Sequence, residues 1–372
     1  MSQGVIQPLP GISEPAAAEA PADSLLGGAS LKSGAVRLFD ANTPACDVAI
    51  EELRRLLALW RRHETGARRG SDPEELHQLR VTVRRIDAML GLFRHELPPA
   101  LVRARRTTKA VLRSLGATRD LDVELMELDR FCADLSGHER AAAEPLRVHL
   151  ERQRTRAHAR MVRALDSEPT RHWLETLTLA TASPPMTQGG ERVGAVMSAR
   201  VRQRFRKLRK AVGRLRAKSS MEEYHAVRRR AKRLRYATEC GAPLFGKSGE
   251  ELLRALRRMQ DRLGVHQDAY IAQSRLAALA ADPATELPSE TLFLMGRLAE
   301  HHAGGTTAAR ETLRRTWRKV DGKRWKALRA ILEDLGADSA GDPPAAPAFA
   351  PEVAGPPAAD RTAEPDIPLL RH

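Results

Sequence analysis

The sequence matches itself at an offset of 148 residues, and that repeat limits the fold before any other property does. His77-Gln-Leu-Arg80-Val-Thr-Val-Arg84-Arg85-Ile86 falls on His225-Ala-Val-Arg228-Arg-Arg-Ala-Lys232-Arg233-Leu234, and both read His-x-x-Arg-x-x-x-basic-Arg-aliphatic. At the same offset, without a gap, Leu115-Gly116, Asp120 and Val123 fall on Leu263-Gly264, Asp268 and Ile271. A last helix carrying Trp173 has its echo in Trp325 at offset 152, which places a shift of four residues in an intervening loop. A repeat of this length means one structural unit built twice and packed on itself. The copies are residues 47–180 and 193–335, joined by a linker at 181–192 that holds Ser183-Pro-Pro and Gln188-Gly-Gly.

Each copy has a helical period. Leu76, Leu79, Val83, Ile86, Leu90 and Phe93 recur at steps of three and four, the apolar stripe of an amphipathic helix. Ser71-Asp72-Pro73-Glu74-Glu75 supplies a cap, a first-turn proline and acids near the positive end of the helix dipole. Leu97-Pro-Pro and Gly241-Ala-Pro stop the two matching helices. No alternating strand pattern of useful length occurs, and aromatic residues make up only 4% of the chain. The expected fold is all-α: two four-helix bundles related by a pseudo-twofold.

Charge is distributed unevenly. The chain carries a net +15, yet residues 1–40 hold two basic and four acidic residues, and residues 336–372 two basic and six acidic. The middle therefore has 58 basic against 37 acidic residues, a net charge of +21. Both ends, 1–44 and 336–372, are rich in Pro and Ala and are expected to be disordered, since such segments bury too little apolar surface to offset the entropy of ordering. Of the 62 basic residues 52 are arginine, whose planar fork grips phosphate or carboxylate oxygens in pairs.

On a helical wheel with His77 at zero, Arg80 and Arg84 lie at about 300° and 340°, opposite an apolar stripe between about 160° and 260°. A charged helix face is most often simply solvated. Here the stripe recurs in both copies at the same phase. Similar stripes run along the first helices (Arg54, Arg61; Arg202, Arg209) and the third (Arg106, Lys109; Arg254, Arg257), with few acids between them. Unpartnered like charges repel and cost stability, so an external polyanion is the expected neutraliser.

Other chemistry finds no support. The cations at +3 and +7 from His77 and His225 repel a metal. A histidine so placed stays neutral, and either a hydrogen bond to a phosphate oxygen or a structural bond to a neighbouring helix suits it. No phosphate-binding glycine loop, dinucleotide fingerprint or nucleophile elbow occurs. Asp120-Leu-Asp122 could hold Mg²⁺, but Asp268-Ala-Tyr270 repeats only one acid, so Asp120 and Asp268 are read as anchors for turns or basic neighbours. No cofactor, metal or catalytic residue is expected. Cys46, Cys132 and Cys240 form no Cys-x-x-Cys pair, and the first residues show neither a basic n-region nor an apolar h-region. A reducing, cytoplasmic setting without membrane insertion is the expectation.

At the two histidine helices the sequence resembles the CHAD family, named for a conserved histidine α-helical domain. The residues that carry the likeness are His77 to Arg85, Lys232-Arg-Leu-Arg-Tyr236-Ala-Thr-Glu239, and Leu256-Arg-Arg-Met-Gln260-Asp261-Arg-Leu-Gly264 followed by Asp268. The resemblance covers about residues 45–335. It implies paired helical bundles with a basic central groove or pore that binds inorganic polyphosphate. His77, Arg80, Arg84, Arg85, His225, Arg228, Lys232, Arg233 and Arg235 take the family's basic positions, while Arg54, Arg61, Arg106, Lys109, Arg202, Arg209, Arg254 and Arg257 rest on the repeat. Arg235 and Tyr236 have Asp87 and Ala88 as counterparts, so the two walls of the groove differ. Some relatives are fused to a triphosphatase domain, whose Glu-x-Glu-x-Lys signature this chain lacks; the resemblance therefore implies binding without hydrolysis, with polyphosphate granules as a setting. Sequence-independent nucleic-acid binding and a granule scaffold are the alternatives. Against nucleic acid stand the scarcity of stacking aromatics and the symmetry of the stripes.

Overall fold

The computed structural model describes residues 39–182, 190–216, 219–282 and 285–337. The rest of both tails, and residues 183–189 of the linker, lie outside the described residues. All ten described elements are α-helices. Copy one consists of α1 (Ala45–Arg69), α2 (Pro73–Leu92), α3 (Pro99–Ala133), α4 (Gly137–Leu165) and α5 (Glu168–Ala182). Copy two consists of α6 (Val193–Arg214), α7 (Met221–Cys240), α8 (Ala242–Ala281), α9 (Ser289–Val320) and α10 (Lys323–Ala337).

The expected offset governs these boundaries. α1 and α6 start 148 residues apart, as do both ends of α2 and α7 and the ends of α3 and α8. α8 is broken at Gly246, whose φ of 49° and ψ of −140° are non-helical, so its regular part begins at the residue matching the start of α3. The four extra residues of copy two lie between α8 and α9, where 282–288 replaces 134–136. Caps follow the sequence: the Asp72 carboxylate accepts from the Glu74 amide at 2.8 Å, and Ser136 with Glu139, and Ser220 with Glu223, close capping boxes.

Each copy has five helices rather than the expected four. The reason is α3: at 35 residues it is about 52 Å long, more than the bundle can cover. Its first half packs with α2 and α5; its second half projects and is covered by α4 folding back as a hairpin. α8 and α9 do the same. Trp173 of α5 meets Trp60 of α1 edge-on at 5.2 Å and donates to the Thr108 hydroxyl at 2.8 Å. In copy two Trp325 of α10 stacks on Phe205 of α6 at 3.5 Å.

The copies meet in three places. Residues 39–44, counted with the first tail by sequence, are tied into the fold: the amides of Val193 and Gly194 donate to the carbonyls of Thr43 and Ala41 at 2.9 and 3.0 Å, and the Ala45 amide to that of Glu191. A Cβ on Gly194 would stand 3.0 Å from the Ala41 carbonyl oxygen, so glycine gives this close approach its room. Nearby, Arg200 of α6 bonds Glu96 at 2.7 Å and the Leu92 carbonyl at 2.8 Å. In the middle α2 packs against α7. At the far end the hairpin tips share a separate core, in which Leu128, Cys132, Leu146 and Leu150 pack with Leu294, Met295 and Leu298.

Candidate functional site

Between the main core and the core of the hairpin tips the large buried hydrophobics thin out. Along α3 they end at Leu115 and resume at Leu128; along α8 they end at Leu263, after which only Ala269 and Ala272 are buried before Leu276 packs on the tip core. The intervening turns, with the outward faces of α2 and α7, line a solvent-open cleft of about 1070 Å³. Copy one contributes His77, Arg80 and Arg84 from α2 and Arg119, Asp120, Glu124 and Glu127 from α3. From copy two come Arg228 and Lys232 of α7 and Gln267, Asp268 and Arg275 of α8.

The basic stripe that lies opposite each bundle's core thus faces the other copy. This explains why His77, on the charged side of its wheel, is only 7% exposed, and why the Arg80 side chain is 26% exposed. His225 bonds Gln267 of α8, and Arg228 donates to the same amide oxygen at 3.3 Å. Burial, reinforced by Arg229, Arg228 and Lys232, lowers the His225 pKa, so the ring is neutral near pH 7. Of the two readings left open for the histidines, the structure gives His225 the bond to a neighbouring helix.

The cleft also holds carboxylates, contrary to the expectation of few acids among the cations. Asp120 lies 4.0 Å from Arg80 and 3.4 Å from Arg275 of the other copy, and Glu124 bonds Arg275 directly. Asp120 is thus an anchor for basic neighbours in mid-helix, with no turn involved. Glu127 is pushed up to about 7, first by burial and then by the nearby charge of Asp268. Its Oε2 is 3.9 Å from Nε2 of His302 on α9, whose own pKa burial lowers. Near pH 7 the Glu127 carboxyl is about half protonated and the His302 ring is largely neutral. Beyond Glu124, Glu127 and Arg275 the opening turns apolar, walled by Leu121, Leu146, Leu150, Leu276 and Leu298.

The remaining residues expected in one groove are placed elsewhere. Arg54 donates to the Thr181 carbonyl at 2.6 and 2.9 Å and so satisfies the end of α5. Arg209 pairs with Asp321 at 3.7 Å, Arg257 with Glu239 at 3.4 Å and Arg254 with Glu250 at 3.9 Å. Arg235 lies 3.6 Å from Glu239 and covers the Tyr236 ring at 4.8 Å. Arg61, Arg106, Lys109 and Arg233 are exposed, and Arg85 and Arg202 half-buried, outside the residues that line the cleft. The physical reason is the length of α3 and α8. Their N-terminal halves belong to the bundles, and only residues 119–127 and 267–275, two to four turns further on, pass the cleft.

Sequence reasoning missed Arg119 and Arg275. A search for like residues at offset 148 passes over both, because Arg119 matches Gln267 and Arg275 matches Glu127. Reading the residue next to Asp120 and walking two turns along the helix from Asp268 would have found them.

Comparison with known proteins agrees with this architecture. Residues 51–277 match the CHAD domain. Two proteins of Mycobacterium tuberculosis, strains CDC 1551 and H37Rv, both described as uncharacterized, are 28% identical over 309 residues, or 76% of this chain. The chain spans about half the length of these curated relatives, 53%. The crystal structure of the CHAD domain from the plant Ricinus communis aligns with a TM-score of 0.54 and 24% identity, covering 79% of this chain and 93% of that one. PptA from Streptomyces chartreusis aligns with a TM-score of 0.56 and 22% identity, covering 74% and 100%.

Proposed function

Because the chain belongs to the CHAD domain family, we propose that the cleft between its two copies binds inorganic polyphosphate without hydrolysing it. The observation that carries this reading is the convergence of Arg80, Arg84 and Arg119 from one copy with Arg228, Lys232 and Arg275 from the other. A flexible line of closely spaced phosphates passing through meets cations on both walls. Arginine forks take non-bridging oxygens in pairs, and each contact releases condensed counterions. Arg275 is held by Asp120 and Glu124, so one wall of cations keeps its shape before the ligand arrives. Among the cleft's carboxylates Asp120 and Glu124 are engaged with arginines, and Glu127 is about half protonated near pH 7. Among the described residues no three His, Cys, Asp or Glu side chains gather in a way that could hold a metal ion.

The setting we propose is the surface of polyphosphate granules in the cytoplasm. It is supported by three free thiols, Cys46, Cys132 and Cys240, which suit a reducing compartment. Among the described residues no helix is long and apolar enough to cross a membrane.

The test is binding of long-chain polyphosphate to the wild type and to Arg80→Glu/Arg84→Glu/Arg228→Glu/Lys232→Glu, with circular dichroism showing that the variant is folded. Single-stranded and duplex nucleic acid compete at one salt concentration. The proposal expects binding that the folded variant loses and nucleic acid displaces poorly. Equal binding by both proteins, or displacement by nucleic acid at equal phosphate concentration, contradicts it.

A further inference from the structure

Outside the cleft, a second group of cations converges where α8, α9 and α10 meet. Arg254 and Arg258 of α8, Thr316 and Lys319 of α9 and Arg324 of α10 line a small, shallow pocket. No carboxylate lines it. Arg254 has an acidic partner in Glu250, one turn away at 3.9 Å, with both side chains more than half exposed. Arg324 donates to the Lys319 carbonyl at 3.3 Å and Thr316 to that of Leu313 at 2.9 Å, which holds the α9–α10 corner in shape.

The pocket is separate from the cleft. Arg254 precedes Gln267 by 13 residues, which on a helix is about 20 Å along the axis and about 220° around it. Nor does it follow from the repeat. At offset 148 Arg254 matches Arg106 but Arg258 matches Ala110, and in the register of the two tryptophans Lys319 and Arg324 match Ser167 and His172. Three of the four cations are particular to copy two. Their placement also costs stability as it stands. Lys319 sits in the last turn of α9, where the dipole favours a cation, but α10 opens with Lys323, Arg324 and Lys326 and has no acid in its first turn. Cations at a helix N-terminus face the positive end of the dipole, and an anion held there relieves the repulsion.

We propose that this corner is a second anion site, specific to copy two, that takes a short oligophosphate: two or three consecutive phosphate groups, free or part of a longer chain. Four convergent cations match the several charges of such a ligand better than the single charge of a carboxylate. A small pocket where three helices meet suits a compact anion rather than an extended polymer.

Tripolyphosphate is the probe, titrated calorimetrically into the full chain. With all six cleft cations removed by Arg80→Ala/Arg84→Ala/Arg119→Ala/Arg228→Ala/Lys232→Ala/Arg275→Ala, one tripolyphosphate per chain is expected to remain bound. Adding Arg254→Ala/Arg258→Ala/Lys319→Ala/Arg324→Ala is expected to weaken it at least tenfold. Adding instead Arg103→Ala/Arg113→Ala/Arg152→Ala/Arg156→Ala, which removes the same charge from exposed positions of copy one, is expected to change it less than threefold. The proposal is overturned if the cleft variant binds no tripolyphosphate, if the corner substitutions leave the affinity unchanged, or if the charge-matched control weakens it as much. Long-chain polyphosphate, measured on the same variants, reports separately on the cleft. A second arm compares this polymer with tripolyphosphate in the cleft variant, and a shared affinity per bound end identifies the corner as a grip on longer chains.

Discussion

Glu127 gives the sharpest quantitative prediction, because its cost to the fold can be worked out from its surroundings. Its side chain is 20% exposed at the boundary between the basic cleft and the apolar opening. Burial and the charge of Asp268 raise its pKa from 4.5 to about 7. A carboxyl group whose folded pKa is raised binds its proton more tightly in the folded state than in the unfolded one. Folding stability therefore falls as pH rises from about 4.5 to about 7, and the loss is complete above that window. A shift of this size corresponds to about 3 kcal/mol. Glu127→Gln keeps the shape and removes the titration. It is expected to be more stable than wild type by about 3 kcal/mol at pH 8.5, or roughly 6 °C in Tm for a fold of this size. At pH 5 the two proteins should be nearly alike. The lowered pKa of His225 acts in the opposite sense, removing stability below about pH 6.5, and it is common to both proteins. Urea denaturation of both proteins from pH 5 to 8.5 isolates Glu127 as their difference. A variant no more stable than wild type at pH 8.5, or a difference that stays constant with pH, refutes the reasoning.

The same group should tune the ligand: polyphosphate affinity is expected to rise a few-fold as pH falls from 8 to 6 and Glu127 neutralises, with Glu127→Gln flat over that range in fluorescence-anisotropy titrations. Asp122 is buried with its side chain fully covered and is held by Arg154 at 2.6 Å. Arg154→Ala leaves that carboxylate without its cation, and a loss of about 3 kcal/mol in chemical denaturation is expected. Gly70 ends α1 with φ of 72°, and a Cβ there would lie 2.6 Å from the His158 ring. Gly70→Ala should cost about 1–2 kcal/mol by thermal denaturation, and more than Gly137→Ala, where nothing lies within 4 Å.

What the sequence made legible differs between the two levels. The stripe from Leu76 to Phe93, the cap at Asp72 and the stops at Leu97-Pro-Pro and Gly241-Ala-Pro are local signals: α2 starts at its cap and α7 ends at Gly241, while α2 ends at Leu92, five residues before Leu97-Pro-Pro. The fifth helix was not legible as a separate layer, because nothing in an amphipathic pattern says whether its apolar side meets its own bundle or, as with Leu128 and Leu150, the tip of the other copy. The site divides in the same way. His77, Arg80, Arg84, Arg228 and Lys232 share one helical face in each copy, and symmetry brings the two faces together. Arg54 and Arg254 satisfied the same repeat, yet a helix has room for several cationic faces and only its position along the axis decides which one meets the cleft. Arg119 and Arg275 lie at positions where the copies differ, so symmetry hid them.

The central claim is that cations from both copies neutralise one polyanion, and the salt dependence of binding measures it most directly. With about six cations engaged, the slope of log affinity against log salt for long-chain polyphosphate is expected near −4, by the rule for flexible single strands. Arg80→Ala/Arg84→Ala alone and Arg228→Ala/Lys232→Ala alone should each reduce that slope by about one to one and a half, and together by their sum. A slope left unchanged by substitutions on either copy would contradict the account.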